Sequence, residues 1–211
     1  MAIITPEALN RNPLNAAATS PTFALTGGKP GGKVTLASAS GQYLTRANAS
    51  CVGLDFGAGS FSISLWLNPA STPAGAVNVL GKGGSGSGVA GYSFVHHATT
   101  KVVFQASDGT TLYTPSGTGF AMTNGTWKHV VGVVNRVDNT IKLYGNGTLI
   151  GSATIAGMGS VTNASDFFLA GASTQYDGSL SNANMWNRAL AAWEVTQLYR
   201  GGNGLAYPFN F

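Results

Sequence analysis

Short runs in which apolar and polar residues alternate follow one another from residue 34 onward. In residues 61–67 (FSISLWL) every second position is apolar, which places Phe61, Ile63 and Leu65 on one face of a half-buried strand. Comparable runs predict strands at 77–82, 91–97, 101–106, 127–136, 140–145, 148–154 and 166–170. Because no strand–helix–strand alternation occurs, the pattern predicts antiparallel pairing.

One turn and one helix stand out between and after these runs. Asn146 and Gly147 separate two predicted strands, and this pair favours the positive φ angles of a tight hairpin turn. A helix is predicted at 190–200, where the apolar residues fall near one stripe and two following glycines end it. The pattern therefore predicts an all-β domain that is capped by one short C-terminal helix.

Residues 1–33 differ from the rest of the chain, with repeated X-Pro steps and Gly-Gly pairs that favour extended backbone. Two interpretations stay open: a loosely ordered leader, or an extended arm that lies along a neighbouring subunit. We therefore divide the chain into an N-terminal arm at 1–33 and a domain at 34–211. The spaced apolar anchors of such an arm would be Ile3, Ile4, Leu9, Leu14, Phe23 and Leu25.

Charge is scarce in this chain of 211 residues, which has 11 basic residues, 7 acidic residues and a net charge of +4. The basic residues are scattered singly, so the clustered charge that nucleic-acid binding requires is missing. We expect no membrane span, because no apolar run approaches about 18 residues. No signal peptide is recognisable either, and the single cysteine allows no internal disulfide.

Four segments together resemble one known family. They are 61–69 (FSISLWLNP), 125–131 (GTWKHVV), 141–149 (IKLYGNGTL) and 178–199, which ends in NRALAAWEVTQLY. In this order they resemble the laminin-G-like, concanavalin A-like jelly roll, over residues 34–200. The resemblance implies an antiparallel two-sheet β-sandwich with six or seven strands in each sheet. It also implies function on rim loops or on a concave sheet face.

The same resemblance implies roles for single residues. His129 would be a structural histidine, and Trp127, Tyr144 and Trp186 would be core residues. The sequence departs from the family where Ala191 and Ala192 stand in place of a polar helix cap. The helix would then depend on packing by Trp193 and Leu198.

The C-terminal segment at 198–209 (LYRGGNGLAYPF) is similar to the endings of laminin-G-like proteins of bacteriophages. This similarity implies a non-enzymatic structural or display protein of a phage-like virion, made in the host cytoplasm. Its role would be capsid decoration, head fibre or tail-associated protein, and its partners would be capsid or tail proteins or further copies of itself. The alternative is a carbohydrate-binding adhesin or lectin module, with or without calcium, whose partners are cell-surface glycans.

Catalytic chemistry finds little support in the sequence. Glycanases of this fold need two carboxylates flanking the glycosidic bond, whereas the aspartates here lie at least ten residues apart. The only glutamates are Glu7 in the arm and Glu194 in the helix. His96 and His97 are neighbours on a strand and point to opposite faces, so they make a poor joint metal site. We therefore expect a protein that is not an enzyme.

Binding residues can be named only as candidates. For calcium they are Asp108 and Asp177, which stand beside glycine and are equally well explained as turn residues. For a sugar they are Trp66, Tyr176 and Asn184, since aromatic faces stack on sugars and amides pair with hydroxyls. Trp66 is also compatible with packing in a second layer outside the sheet.

Overall fold

Two antiparallel sheets make up the fold in the computed structural model, which describes residues 2–4, 15–16, 19–51, 53–84, 86–117, 119–171 and 175–206. The strands are β1 (Ala2–Ile4), β2 (Asn15–Ala16), β3 (Thr22–Gly28), β4 (Gly31–Leu36), β5 (Leu44–Arg46), β6 (Phe61–Pro69), β7 (Val77–Gly83), β8 (Ala90–His97), β9 (Lys101–Asp108), β10 (Leu112–Tyr113), β11 (Phe120–Ala121), β12 (Lys128–Asn135), β13 (Thr140–Gly145), β14 (Thr148–Thr154), β15 (Phe167–Leu169) and β16 (Gly178–Trp186). One α-helix, α1 (Ala192–Tyr199), follows the last strand.

Each sheet has eight strands within the described ranges. Sheet A has the order β14–β13–β12–β6–β16–β4–β3, with β1 also paired to β16. Sheet B has the order β10–β9–β8–β7–β15–β5–β2, with β11 also paired to β9. The predicted fold, an antiparallel two-sheet sandwich with one short C-terminal helix, is confirmed. Each sheet is seven strands across, as expected, and the count reaches eight because the short strands β1 and β11 pair with β16 and β9 outside this order.

The core lies between the two sheets and follows the predicted alternation. Phe61, Ile63 and Leu65 of β6 are fully buried, and they belong to one apolar cluster with Phe94 and Phe104 of sheet B. Phe61 and Phe104 meet edge to face, with ring centroids 6.3 Å apart. Burial of side chains of this size stabilises the fold by roughly 2 kcal/mol each.

Helix α1 covers the outer face of sheet A. Its residues Val195 and Leu198 pack with Val131, Tyr144 and Trp186 of the sheet in a second apolar cluster. As a result β6 is buried on both faces. The predicted hairpin turn is also present, with positive φ at the residues between β13 and β14.

Hydrogen bonds to Glu194 stabilise the start of α1, where the sequence predicted that packing alone would do so. The backbone N–H of Ala191 donates to the Glu194 carboxylate at 2.8 Å, and Arg188 donates to both oxygens of that carboxylate. Trp193 is 56% exposed, whereas Leu198 is 2% exposed and belongs to the second apolar cluster. The Glu194 carboxylate thus accepts one of the backbone N–H groups at the helix start, as a polar cap residue would.

Trp127 is half-buried rather than a core residue.

The described parts of residues 1–33 lie on the sandwich. Strand β1 pairs with β16, β2 pairs with β5, and β3 and β4 form a hairpin at one edge of sheet A. In β3, Phe23 is 53% and Leu25 is 87% exposed. The side chains of Ile3, Ile4, Leu9 and Leu14 lie outside the described residues. The boundary at residue 33 and the role of this segment in assembly stay predictions.

Within the described residues, none of the helices is long and apolar enough to span a membrane.

Candidate functional site

The outer faces of the two sheets differ in what covers them. Helix α1 lies over sheet A, and it is the only α-helix in the part of the chain that the structure describes. The outer face of sheet B therefore carries no α-helix within the same residues. Binding sites need accessible surface, and on this face the half-buried residues Thr45, Gln105 and Phe168 provide some of it.

Strand register places five residues side by side across the outer face of sheet B. The pairs are Gln105 with Ser93, Ser93 with Gly81, Gly81 with Phe168, and Phe168 with Thr45. The residues before and after these positions, such as those flanking Gln105, face the core, so the row itself faces outward. With a strand spacing of about 4.8 Å, Gln105 and Phe168 lie about 14 Å apart along this row. We call these five residues the sheet B row.

The aromatic ring of Phe168 lies over the glycine beside it. A Cβ atom at Gly81 would stand 2.9 Å from Cζ of Phe168 and 2.9 Å from Cβ of Ser93. The ring therefore leans from β15 across Gly81 toward Ser93, in space that any larger residue at position 81 would fill. Phe168 is half-buried and lies outside the core cluster. A ring in this position can stack against the apolar face of a sugar.

Gln105 supplies an unused hydrogen-bond acceptor at the other end of this span. Its Oε1 is shielded from solvent and has no hydrogen-bond partner among the described residues. Ser93, between Gln105 and Gly81, is fully buried and donates to the carbonyl oxygen of Gly84 at 3.2 Å. A shielded acceptor without a donor costs about 1–3 kcal/mol, and this cost would be recovered if the half-buried Gln105 side chain turned its amide outward to a ligand hydroxyl.

The sugar-binding candidates from the sequence lie in the interior. Trp66 is 1% exposed and packs between His129, with ring centroids 4.9 Å apart, and Tyr199, at 5.8 Å. Tyr176 and Asn184 are equally buried. None of the three can serve as an exposed platform in this conformation, and Trp66 occupies the second-layer packing position that was its alternative. Trp66 is buried because Tyr199, the last residue of α1, stacks on it from outside sheet A, whereas Tyr176 lies in the core between the sheets near His96.

A serine–histidine pair lies beneath the same cover. Nε2 of His129 and Oγ of Ser64 form a hydrogen bond of 2.8 Å, and burial lowers the pKa of His129 from 6.5 to about 3. The imidazole is therefore neutral at pH 7. No carboxylate hydrogen-bonds its Nδ1 within the described residues, and both side chains are buried. The pair stabilises the sheet A interior and offers a substrate no access.

The other two histidines, His96 and His97, point to opposite faces of β8, as predicted for neighbours on a strand. His96 is buried in the interior, and burial together with the neighbouring His97 lowers the pKa of His96 from 6.5 to about 4. His97 is half-buried on the opposite face, where it pairs in register with Lys101. His97 and Lys101 thus lie toward one end of the outer face of sheet B.

The two calcium candidates are not brought together. Asp108 accepts hydrogen bonds from the backbone N–H groups of Thr110, Thr111 and Gly159 at 2.8–3.0 Å, and these bonds lower its pKa. Asp177 accepts from one backbone N–H and one serine hydroxyl. Across the described residues, no three His, Cys, Asp or Glu side chains form a group that could hold a metal. Both carboxylates serve as turn residues, and their surroundings do not fit a calcium ion.

The sequence interpretation missed both Phe168 and Gln105. Strands were predicted over both residues, and strict alternation would have placed Phe168 opposite its buried neighbours Phe167 and Leu169. No local signal indicated which strands would lie beside each other, so the sheet B row was not visible.

A family model described as the concanavalin A-like lectin/glucanases superfamily, of laminin-G type, matches residues 37–196. The sequence matches no curated protein.

Solved structures with similar folds include the binding domains of two toxins. The binding domain of Paraclostridial mosquitocidal protein 1 matches with a TM-score of 0.67 and 18% identity, over 88% of this chain and 47% of that one. The binding domain of botulinum neurotoxin serotype G matches with 0.60 and 16%, over 89% and 48%. The chain thus spans about half the length of these toxin domains.

A further match covers most of both chains. Domain 4 of AbnA, an extracellular arabinanase from Geobacillus stearothermophilus solved with arabinotriose, matches with a TM-score of 0.63 and 20% identity. It covers 88% of this chain and 84% of that one. At these identities the matches show the fold alone. The sequence match over most of the chain, together with the observed two-sheet sandwich, shows that this protein belongs to the concanavalin A-like lectin/glucanases superfamily.

Proposed function

We propose that the chain is a non-catalytic carbohydrate-binding module that holds an oligosaccharide against the sheet B row. The observation that carries this proposal is the Phe168 ring, which lies on an outer sheet face without a covering α-helix in the described residues, in register with the unpaired Oε1 of Gln105. Sugar recognition uses aromatic faces for stacking and side-chain amides for hydrogen bonds to hydroxyls.

The size and charge of the row indicate the kind of ligand. The distance of about 14 Å between Gln105 and Phe168, which covers three strand spacings, would suit a short oligosaccharide better than a single sugar. No member of the row is charged, so a neutral saccharide would leave no buried charge without a partner. Sugar hydroxyls would donate to Gln105, and the apolar face of one ring would rest on Phe168.

Known proteins of this fold support the proposal by analogy only. Domain 4 of the arabinanase was solved in complex with arabinotriose, and the two toxin domains are described as binding domains. Fold similarity does not transfer a ligand, so the identity of the saccharide has to come from experiment.

The experiment is a glycan array with the full chain, followed by isothermal titration of the best saccharide. We expect Phe168→Ala and Gln105→Ala each to weaken binding about tenfold or more, since loss of one stacking or hydrogen-bonding contact costs at least about 1.4 kcal/mol. Trp193→Ala is the matched control, because it removes an exposed aromatic side chain from α1, which packs on sheet A. Equal binding by all variants, or no saccharide bound by folded protein, would contradict the proposal.

The virion role predicted from the sequence, with capsid or tail partners, is compatible with a glycan-binding module. Nothing in the described structure bears on it, so it stays a prediction. Incorporation of the chain into phage-like particles would test it.

A further inference from the structure

A fully buried lysine lies directly beneath the sheet B row. Lys82 follows Gly81 in β7, and its side chain points to the opposite face of sheet B, where it is 0% exposed. Lys82 pairs in register with Phe167, just as Gly81 pairs with Phe168. The charged group thus supports the part of the sheet on which the Phe168 ring rests.

The ammonium group of Lys82 is surrounded by oxygen atoms. Nζ donates to Oδ1 of Asp55 at 2.9 Å, to the backbone oxygen of Asn163 at 2.6 Å and to Oδ1 of Asn163 at 3.4 Å. These three acceptors match the three N–H groups of an ammonium ion. A carboxylate, a backbone carbonyl and an amide carbonyl are also the oxygen types that bind hard cations such as calcium.

The surrounding bonds connect three separate segments of the chain. Nδ2 of Asn163 donates to the backbone oxygen of Lys82 at 3.1 Å, and N of Asn163 donates to Oδ1 of Asp55 at 3.4 Å. Asp55 precedes β6, and Asn163 lies between β14 and β15. Because the Asp55 side chain is 32% exposed, water can reach the position from one side.

We propose that the ammonium group of Lys82 takes the place of a metal ion among the oxygen atoms of Asp55 and Asn163. This group holds the three segments together where a metal ion would otherwise be required, and its removal leaves an oxygen-lined site for a small hard cation. The proposal concerns the support beneath the sheet B row and does not depend on sugar binding.

The test compares thermal unfolding of the full chain in about 10 mM CaCl2 and in chelator, for the wild type and three variants. Lys82→Ala vacates the position, and Lys82→Met fills it with an uncharged chain of similar length. Lys142→Ala removes a half-buried lysine from β13 and serves as the control for loss of charge.

We expect the wild type and Lys142→Ala to melt at the same temperature in calcium and in chelator. Lys82→Ala and Lys82→Met should melt on the order of 10 °C lower in chelator, because Asp55 loses its buried partner. Calcium should raise the melting temperature of Lys82→Ala by about 5 °C and leave Lys82→Met unchanged.

Two results would overturn the proposal. One is a wild type whose melting temperature falls in chelator, because a metal ion would then contribute where we place only the ammonium. The other is a Lys82→Ala variant that calcium does not stabilise relative to Lys82→Met. If Lys82→Ala is unfolded in chelator, folding in calcium supports the proposal, and failure to fold in either condition counts against the cation site.

Discussion

Substitution of Gly81 by alanine perturbs the sheet B row at its centre. The added Cβ would lie 2.5 Å from the backbone oxygen of Tyr92 and 2.9 Å from both Cζ of Phe168 and Cβ of Ser93. Cβ atoms in proteins essentially never approach other heavy atoms this closely, so a neighbouring group has to shift. The Phe168 ring can swing toward solvent, whereas the carbonyl of Tyr92 is fixed in strand β8.

The size of the effect follows from these contacts. Overpacking of this kind costs about 1–3 kcal/mol, and a shift of the β8 backbone places Gly81→Ala near the middle of that range, at about 2 kcal/mol. For a chain of this length, that corresponds to a fall in melting temperature of about 4–8 °C. Displacement of the Phe168 ring should also weaken saccharide binding about tenfold, which is equivalent to 1.4 kcal/mol.

The assay combines scanning calorimetry with isothermal titration of the saccharide found on the array. Gly86→Ala is the matched control, since a Cβ at Gly86 would meet no atom within 4 Å. We expect Gly86→Ala to melt and bind like the wild type. If Gly81→Ala also melts and binds like the wild type, the position that we assign to the Phe168 ring is refuted.

Three further predictions concern the frame around the site. Glu194→Ala should lower the free energy of unfolding by about 2 kcal/mol in urea denaturation, because Arg188 and the N–H of Ala191 lose their acceptor; an unchanged midpoint would show that packing alone holds the helix. Because burial lowers the pKa of His129 to about 3 from 6.5, its contribution to stability is complete above pH 6.5 and is lost as the pH falls toward 3. Melting temperatures of His129→Gln should therefore decline less than those of the wild type over that range, and parallel curves would contradict the burial argument. Deletion of residues 1–33 should lower the melting temperature by removing two strands of sheet A and half of β4, and a deletion variant as stable as the full chain would argue against these pairings.

The sandwich could be predicted from local patterns because strand signals are short-range. Alternation fixes which residues of β6 face the core, and the pair Asn146 and Gly147 fixes the turn between β13 and β14. Segments with weak alternation were missed, among them β3 and β4, because their glycines and threonines do not distinguish an edge strand from a loop.

The site could not be predicted in the same way, because it depends on which strands lie beside each other and on which of their residues are paired. Gln105 and Phe168 belong to strands far apart in sequence, and they share a row only because β8 and β7 lie between them. Trp66 was ambiguous for a related reason. One strand cannot reveal whether a second layer covers its outer face, and here α1 and Tyr199 provide that layer.

Lys82 gave no signal in the sequence either. A single lysine between glycines is typical of an exposed loop, and its burial depends on Asp55 and Asn163 from distant segments. Such a charge can be buried only when the fold supplies its partners, and these become visible in three dimensions.

The most direct test of the central claim is an NMR titration of isotope-labelled protein with the saccharide that the array selects. The proposal predicts that amide shifts concentrate on β7, β8, β9 and β15, with the largest changes at Gly81, Gln105 and Phe168. The helix α1 and the hairpin of β13 and β14 should remain unaffected. Shifts confined to α1 or to rim loops, with the sheet B row unchanged, would contradict the claim that this face binds sugar.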